Sequence, residues 1–346
     1  MLAEEVDYVV GVDPHRDRHA LAVVEVVSGA LVAEAAIAAS GVGYRQALEL
    51  AEAHAPGRRA WAIEGTGSYG AGLTRFLQQQ GQLVLEVGRL PRGRQQRGKN
   101  DALDAARAAR SVLGRPRASN PRRGERREAL RSLLVAREGA VEAKKAALCQ
   151  LRALIVTCPE PLRHELARLS RARLLARCAR LRAGNDTDQG CRAALRSVAR
   201  RAQALSDEER QLKQEIETHV RTLAPPQLLA ERGVGPISAA RVLLAWSHPG
   251  RIHSEAAFAR LAGSAPLDAS SGLTIRRLFD RGGDRQLNRA LHTIIINSRK
   301  HDPKTIAYIQ RRQHDGKSSR EATRCLKRYL ARHLYRLLEN PPPLTT

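Results

Sequence analysis

Hydrophobic and polar positions change rhythm along the 346-residue chain. Through residue 113, short β-branched runs alternate with helical stretches. VDYVVGVD (6–13) and HALAVVEVV (19–27) flank the polar PHRDR, a pattern that predicts a β-hairpin. ALVAEAAI follows the Ser28-Gly29 turn as a third strand. Residues 43–54 read as helix, RAWAIEG (59–65) as a buried strand ending at Glu64, GAGLTRFLQQQ as helix and QLVLEV (82–87) as strand. NDALDAARAARSVL (100–113) is a helix capped by Asn100 or Asp101. Three strands and then a βαβ alternation predict an α/β domain with a mixed sheet over residues 1–114.

RPRASNPRRGERR (115–127) reads as a linker. Beyond it, residues 128–224 form a helical, coiled-coil-like region in which Leu130, Leu134, Val141, Leu148, Leu151 and Ile155 recur at near-heptad spacing. TCPEP interrupts the pattern, helix resumes through 162–182, and AGNDTDQG (183–190) is a turn. A second long helix, 191–223, carries Leu205, Leu212, Ile216 and Leu223 on one face. An antiparallel hairpin, an oligomerisation arm and an ordinary bundle all fit these seams. Residues 225–346 predict a mostly α-helical C-terminal domain broken by glycine turns.

Composition adds boundaries. At 42% hydrophobic and 27% charged residues the chain is expected to fold, and no apolar run approaches the roughly 18 residues of a spanning helix, so no membrane role is expected. The acidic start MLAEEVDYVV does not resemble a secretion signal, so a cytoplasmic, nucleoid-associated location is expected. Five cysteines without a CxxC pair indicate neither a disulfide framework nor a zinc site.

Charge changes the picture most. The net charge is +24, and only 8 of the 59 basic residues are lysines. Residues 1–113 hold 13 basic and 13 acidic side chains, so the whole excess lies in residues 114–346. Such a field attracts polyanions, nucleic acid above all, and the arginine fork suits phosphate. Codon bias explains arginine over lysine but not this uneven distribution.

In the neutral part, Asp13 and Glu64 end strands, while Asp101 and Asp104 lie one helical turn apart. Strand ends and a helix face can converge on one crevice, and clustered carboxylates suit Mg²⁺ and phosphoryl transfer. Each also has a plain reading: Asp101 as a helix cap, Asp13 as the opener of a turn, with Asp17 a competitor. In the basic part, LAERGVGPISA fits a helix-hairpin-helix whose Gly233 and Gly235 allow a tight turn and leave helix N–H groups for phosphate. A plain glycine-containing helical turn is the alternative. APLDASSG then meets Arg276, Arg277, Arg281 and Arg285, so a loop serine beside guanidiniums could attack a phosphodiester, although SSG is also an ordinary turn.

Taken together, GVDPHRD, AIEGTGSYG, KNDALDAARAAR, SAPLDASSG and RGGDRQLNRALH resemble the DEDD transposases of the insertion-sequence-110 family, over residues 6–112 and 225–338. The resemblance implies a RuvC/RNase H-like nuclease domain in which Asp13, Glu64, Asp101 and Asp104 bind Mg²⁺. It implies that Ser271, or Ser270 one position earlier, joins covalently to DNA in an active site assembled from both domains. It also implies double-stranded DNA at element ends and target, a guide RNA, and dimers that pair into tetramers. The family pattern often has Lys and Thr before the third acid; here Lys99 is present and Asn100 replaces Thr. With 3% aromatic residues, single-strand recognition by base stacking is not expected. Three other functions share parts of this pattern. A water-using RuvC-like nuclease leaves the serine segment unexplained. An actin-like ATPase lacks its glycine-rich phosphate loops, and an architectural DNA-binding protein does not need the carboxylates.

Overall fold

The computed structural model describes residues 2–88, 101–114, 119–182, 184, 188–268, 277–279 and 282–340. The chain divides into two compact units, Met1–Arg123 with Gly250–Ile252, and Gly124–Pro249 with His253–Thr346.

The first unit runs α1 (Leu2–Glu5), β1 (Tyr8–Pro14), β2 (Arg18–Glu25), β3 (Leu31–Ala38), α2 (Gly41–His54), β4 (Arg59–Glu64), α3 (Ala71–Gln79), β5 (Leu83–Val87) and α4 (Asp101–Leu113). The sheet order is β3-β2-β1-β4-β5. The first three strands are antiparallel neighbours, while β4 and β5 are parallel to β1. This is the mixed sheet that the alternating pattern predicts.

Because successive strand side chains point to opposite faces, the sheet has two cores. Val10, Val12, Trp61 and Ile63 pack with Leu73 and Leu77 of α3 and Ala47 and Ala51 of α2. The intervening Val9, Ala60 and Ala62 pack with Ala108, Ala109 and Val112 of α4. Full burial of each large apolar side chain stabilises the unit by about 1.5–3 kcal/mol. Small residues dominate the α4 side, where Ala22 of β2 meets Ala105 and Ala106. At its centre, a Cβ built on Gly11 would lie 1.9 Å from the Ala105 carbonyl oxygen. Only glycine lets α4 lie this close to β1. Arg251 belongs to the same unit and donates to Glu86 Oε2 (3.0 Å) and the Asn120 carbonyl (3.2 Å).

The second unit runs α5 (Glu125–Val156), α6 (Glu160–Ala167), α7 (Arg171–Ala179), α8 (Gln189–Leu223), α9 (Pro226–Ala230), α10 (Pro236–Trp246), α11 (Glu255–Leu261), β6 (Pro266–Asp268), β7 (Arg277–Phe279), α12 (Arg285–His301), α13 (Pro303–His314) and α14 (Ser319–Glu339). Helices α5 and α8 form an antiparallel hairpin: Arg137 and Lys144 both reach Glu209, and Arg201 donates to Gln150. The seam differs in detail from the expected one. Ile216, Leu151 and Ile155 are buried, but the middle is closed by Ala140, Ala147, Ala199 and Ala202. Val141, Leu148, Leu205, Leu212 and Leu223 are only half-buried beside it. Small residues at the centre let two helix backbones approach, and the larger side chains flank them.

The stretch expected as one helix over 162–182 is broken, with Ser170 at the N-cap of α7. A straight helix of that length spans roughly 30 Å. Broken, it folds Leu162, Leu166, Cys178 and Leu181 onto Leu151, Ile155 and Leu195 as a local core. Cys158 and Cys191 join there in a disulfide, which an odd cysteine count without CxxC does not foretell. Burial pushes the Cys178 thiol up to about 11, so it stays protonated.

The remaining helices enclose Phe258, Leu287, Leu291, Ile294 and Leu334. Nearly buried Arg241 of α10 donates to Glu138 of α5 (2.6 Å), which also accepts from Gln286 of α12 (3.2 Å). Strands β6 and β7 pair antiparallel within the C-terminal domain that the sequence predicts to be mostly α-helical. No helix among the described residues is long and apolar enough to cross a membrane.

Candidate active site

The period of two along β1 places Val9, Gly11, Asp13 and His15 on the α4 side of the sheet. On β4 the same alternation carries Ala60, Ala62 and Glu64 to that side. The parallel register ends with Val12 opposite Ile63, so Asp13 and Glu64 occupy equivalent positions one residue further along adjacent strands. Helix α4 starts with Asp101 and, through the close approach at Gly11, brings its first turn to the end of β1.

Asp13, His15 and Asp101 converge, with one ligand atom from each inside a 4.8 Å cluster. His15 Nε2 lies 3.3 Å from Asp13 Oδ2 and 3.4 Å from Asp101 Oδ1. That nitrogen is buried, yet no hydrogen bond reaches it among the described residues. A backbone turn from His15 N to the Arg18 carbonyl (2.9 Å) holds the imidazole over the strand end. Asp13 is mostly buried, with 18% of its side chain exposed, whereas Asp101 is 48% exposed, so the cluster opens to solvent on the α4 side.

These features fit a divalent cation. Two carboxylates so close repel unless a positive charge lies between them, and an octahedral ion with bonds of about 2.1 Å separates adjacent ligand atoms by about 3 Å. The spacings around His15 are close to that. A nitrogen among the oxygens also makes the donor set softer than an all-oxygen Mg²⁺ site.

The other sequence-predicted residues fall in several places. Glu64 is half-buried at the end of β4 and stands outside the three-residue cluster. Asp104 faces the same way as Asp101 but accepts from Arg107 (2.9 Å). Asp17 is 73% exposed and paired with Arg16, away from the cluster. Ser270, Ser271, Arg276, Arg281, Lys99 and Asn100 lie outside the described residues. Arg277 opens β7, and Arg285 opens α12 behind the Asp284 cap, exposed to solvent.

Gly233 and Gly235 lie in the turn between α9 and α10. Gly233 has a φ of +82°, and a Cβ there would come within 2.6 Å of the Ile294 carbonyl oxygen. It is thus needed for packing on α12, where Ser298 donates to the Arg232 carbonyl (3.0 Å). Gly235 is the N-cap of α10, and a Cβ there meets nothing within 4 Å.

His15 is the residue that sequence reasoning passed over. Its signal was present, since it lies two positions beyond Asp13 and shares that residue's face of the strand. His19, opposite Pro14 in the register, is a different case. It is fully buried, stacks on Tyr44 at 5.9 Å, and has no hydrogen-bond partner for either ring nitrogen among the described residues. Burial pushes its pKa down, so this imidazole is neutral behind the acidic cluster.

Comparison with known proteins bears on both units. Residues 10–158 match a family model of DEDD transposases of the IS110 type, described as Transposase. Residues 227–310 match a second, described as Transposase IS116/IS110/IS902 family. The two matches together span about two thirds of the chain. No curated protein matches the sequence.

Proposed function

Because the chain belongs to the IS110 family of DEDD transposases and is therefore a DNA transposase or recombinase, we propose that it exchanges strands of an insertion sequence by a metal-assisted serine mechanism. The observation that carries this reading is the convergence of Asp13, His15 and Asp101 at the mouth of the sheet. Glu64, on the adjacent strand end, and Asp104, one turn along α4, complete the acidic set. The strand order, with three antiparallel strands followed by two parallel crossovers, supports the RuvC-like reading of this domain.

A divalent cation, Mg²⁺ in the family pattern, would be held by Asp13, His15 and Asp101, with Glu64 and Asp104 of the acidic set at its margin. When bound it supplies Lewis-acid stabilisation of phosphoryl charge. The chain's own residues do the rest. The Ser271 hydroxyl attacks a DNA phosphodiester; the Oγ–P bond forms as the bond from phosphorus to the departing strand end breaks. The serine proton passes to a carboxylate, and the departing oxygen takes up a proton. A strand-end hydroxyl from the second duplex then reverses these steps, freeing Ser271 and joining the new strands. Arg276, Arg277, Arg281 and Arg285 are assigned to phosphate charge.

The basic surplus of residues 114–346 suits two duplexes and a structured guide RNA, read by shape and backbone. The hairpin of α5 and α8 is assigned to pairing with other copies, and the cytoplasm near the nucleoid to location. The α9–α10 turn is assigned as the helix-hairpin-helix, with Gly235 opening its phosphate-facing helix.

The test is direct. The protein, element-end DNA and flanking RNA are incubated with Mg²⁺, and protein–DNA adducts are separated under denaturing conditions. An adduct that forms with wild type and disappears in Ser271→Ala is expected. DNA cleavage by Ser271→Ala without an adduct would replace this reading with a water-using nuclease.

A further inference from the structure

The C-terminal unit contains a cavity of about 360 Å³ that the serine mechanism does not use. One wall is the backbone of Gly263 to Pro266, and the other is the first half of α14 with the end of α13. Among the described residues, Arg312, Lys317, Arg324, Lys327 and Arg328 line it with one carboxylate, Glu321. That carboxylate is committed to the α14 capping box, where it accepts from Ser318 N (2.8 Å) and Ser318 Oγ (2.7 Å).

Lys327 is the built element of the cavity. It is half-buried, and the partner of its ammonium is neutral: Nζ donates to Asn288 Oδ1 at 2.9 Å. Asn288 is held in turn by its own Nδ2, which donates to the Ala262 carbonyl at 2.7 Å. The lysine is therefore positioned by an amide rather than neutralised by an acid. Burial and nearby Arg324 push its pKa down, a strain that a bound anion relieves. Arg312 is shared with Asp315 (3.3 Å), and a concave surface on which cations outnumber carboxylates suits an anion, since arginines with a lysine match phosphate oxygens.

We infer that this cavity is a docking site for a backbone phosphate of the DNA strand that the serine segment acts upon. The inference rests on the transposase reading for its ligand and on the cavity for its geometry. Its wall continues directly into β6, and Ser271 follows Pro266 by five positions, a reach of at most about 17–18 Å of chain. A phosphate seated on Lys327 thus lies within a few nucleotides of the scissile bond, and the cavity sets the register of the strand.

The experiment uses the full chain and fluorescent element-end duplex, with binding measured across a salt series. Lys327→Gln and the double variant Arg324→Gln/Arg328→Gln are compared with wild type and with Lys213→Gln/Arg221→Gln, a charge-matched pair on exposed α8. The pocket variants are expected to weaken duplex binding about tenfold. They should also lower the slope of log affinity against log salt by about one for each phosphate no longer engaged. Ser271→Ala should bind as wild type, so failure of the serine reading leaves this result intact. Arg324 and Arg328 are exposed, so their variant folds even if Lys327→Gln does not. Duplex binding equal to wild type, a loss no larger than that of the α8 pair, or a loss confined to flanking RNA would each overturn the inference.

Discussion

The two units build their chemistry in opposite ways. In the first, a site arises where side chains are missing: Gly11 and a face of alanines let α4 settle on β1 until Asp101 stands beside Asp13. In the second, it arises where basic charge is gathered, as around Lys327. The neutral balance of the first unit matters for the same reason. A divalent cation competes with arginines for carboxylates, and Asp104, paired with Arg107, shows what that competition looks like. A polyanion needs the reverse. Segregating the charge along the chain lets both conditions hold in one protein.

The largest test of this contrast removes one carboxylate charge without changing its shape. Asp13→Asn should lower DNA cleavage on the order of a thousandfold while leaving the melting temperature within about a degree or two. Duplex affinity should hardly change, because binding belongs to the basic region. A matching loss of affinity would mean that the two chemistries are not separated as argued.

Next comes the missing side chain. Gly11→Val places carbon atoms where the Ala105 carbonyl now sits and should cost about 1–3 kcal/mol or more in urea unfolding, together with loss of divalent-cation binding. Gly235→Ala, whose new Cβ meets nothing within 4 Å, should shift stability by less than about 0.5 kcal/mol. Equal effects at the two glycines would show that close packing of α4 does not set the site.

The mixed sheet was legible because β-branched runs and turns leave a period-two signature, and the acids stood out because strand ends are where that period stops. His15 was not, since a histidine after a strand reads equally well as a turn residue until the register places it over Asp13 and Asp101. The alanine seam of the hairpin was obscured for a related reason. Hydrophobic periodicity weights leucine and valine, whereas closeness of two helices is set by the smallest residues, here Ala140, Ala147, Ala199 and Ala202. Strands β6 and β7 have three residues each, too few for any period to show. The cavity around Lys327 joins residues from 263 to 329, and no local pattern encodes such a meeting.

A smaller effect is expected at His15. Without DNA, titration calorimetry should show Mn²⁺ binding more tightly than Mg²⁺, because a nitrogen donor suits the softer ion. His15→Gln should weaken Mn²⁺ about tenfold and Mg²⁺ much less, erasing most of the preference. Pulsed electron resonance of the Mn²⁺ form should lose its imidazole-nitrogen coupling in the same variant. Coupling retained in His15→Gln would place the imidazole outside the coordination sphere and return the site to carboxylates alone.

The smallest effect tests whether charge in the second unit also stabilises the fold. Glu209 of α8 accepts from Lys144 and Arg137 of α5, and these two cations hold its carboxyl below the usual glutamate range. A carboxyl whose pKa is lower folded than unfolded adds stability above the unfolded value, near 4.5, and loses it as pH falls through the folded value. Glu209→Gln should therefore lower stability at pH 7 on the order of 1 kcal/mol, since the pair is only partly withdrawn from water. The gap between variant and wild type should narrow as pH falls from about 4.5 through the lowered folded value, where both side chains become neutral. High salt should narrow it as well, since the pair is only partly withdrawn from water. A gap that persisted in acid would assign the loss to packing. The arginines and lysines of the hairpin would then act on nucleic acid alone, and the contrast between the units would be sharper than the pairing of Glu209 suggests.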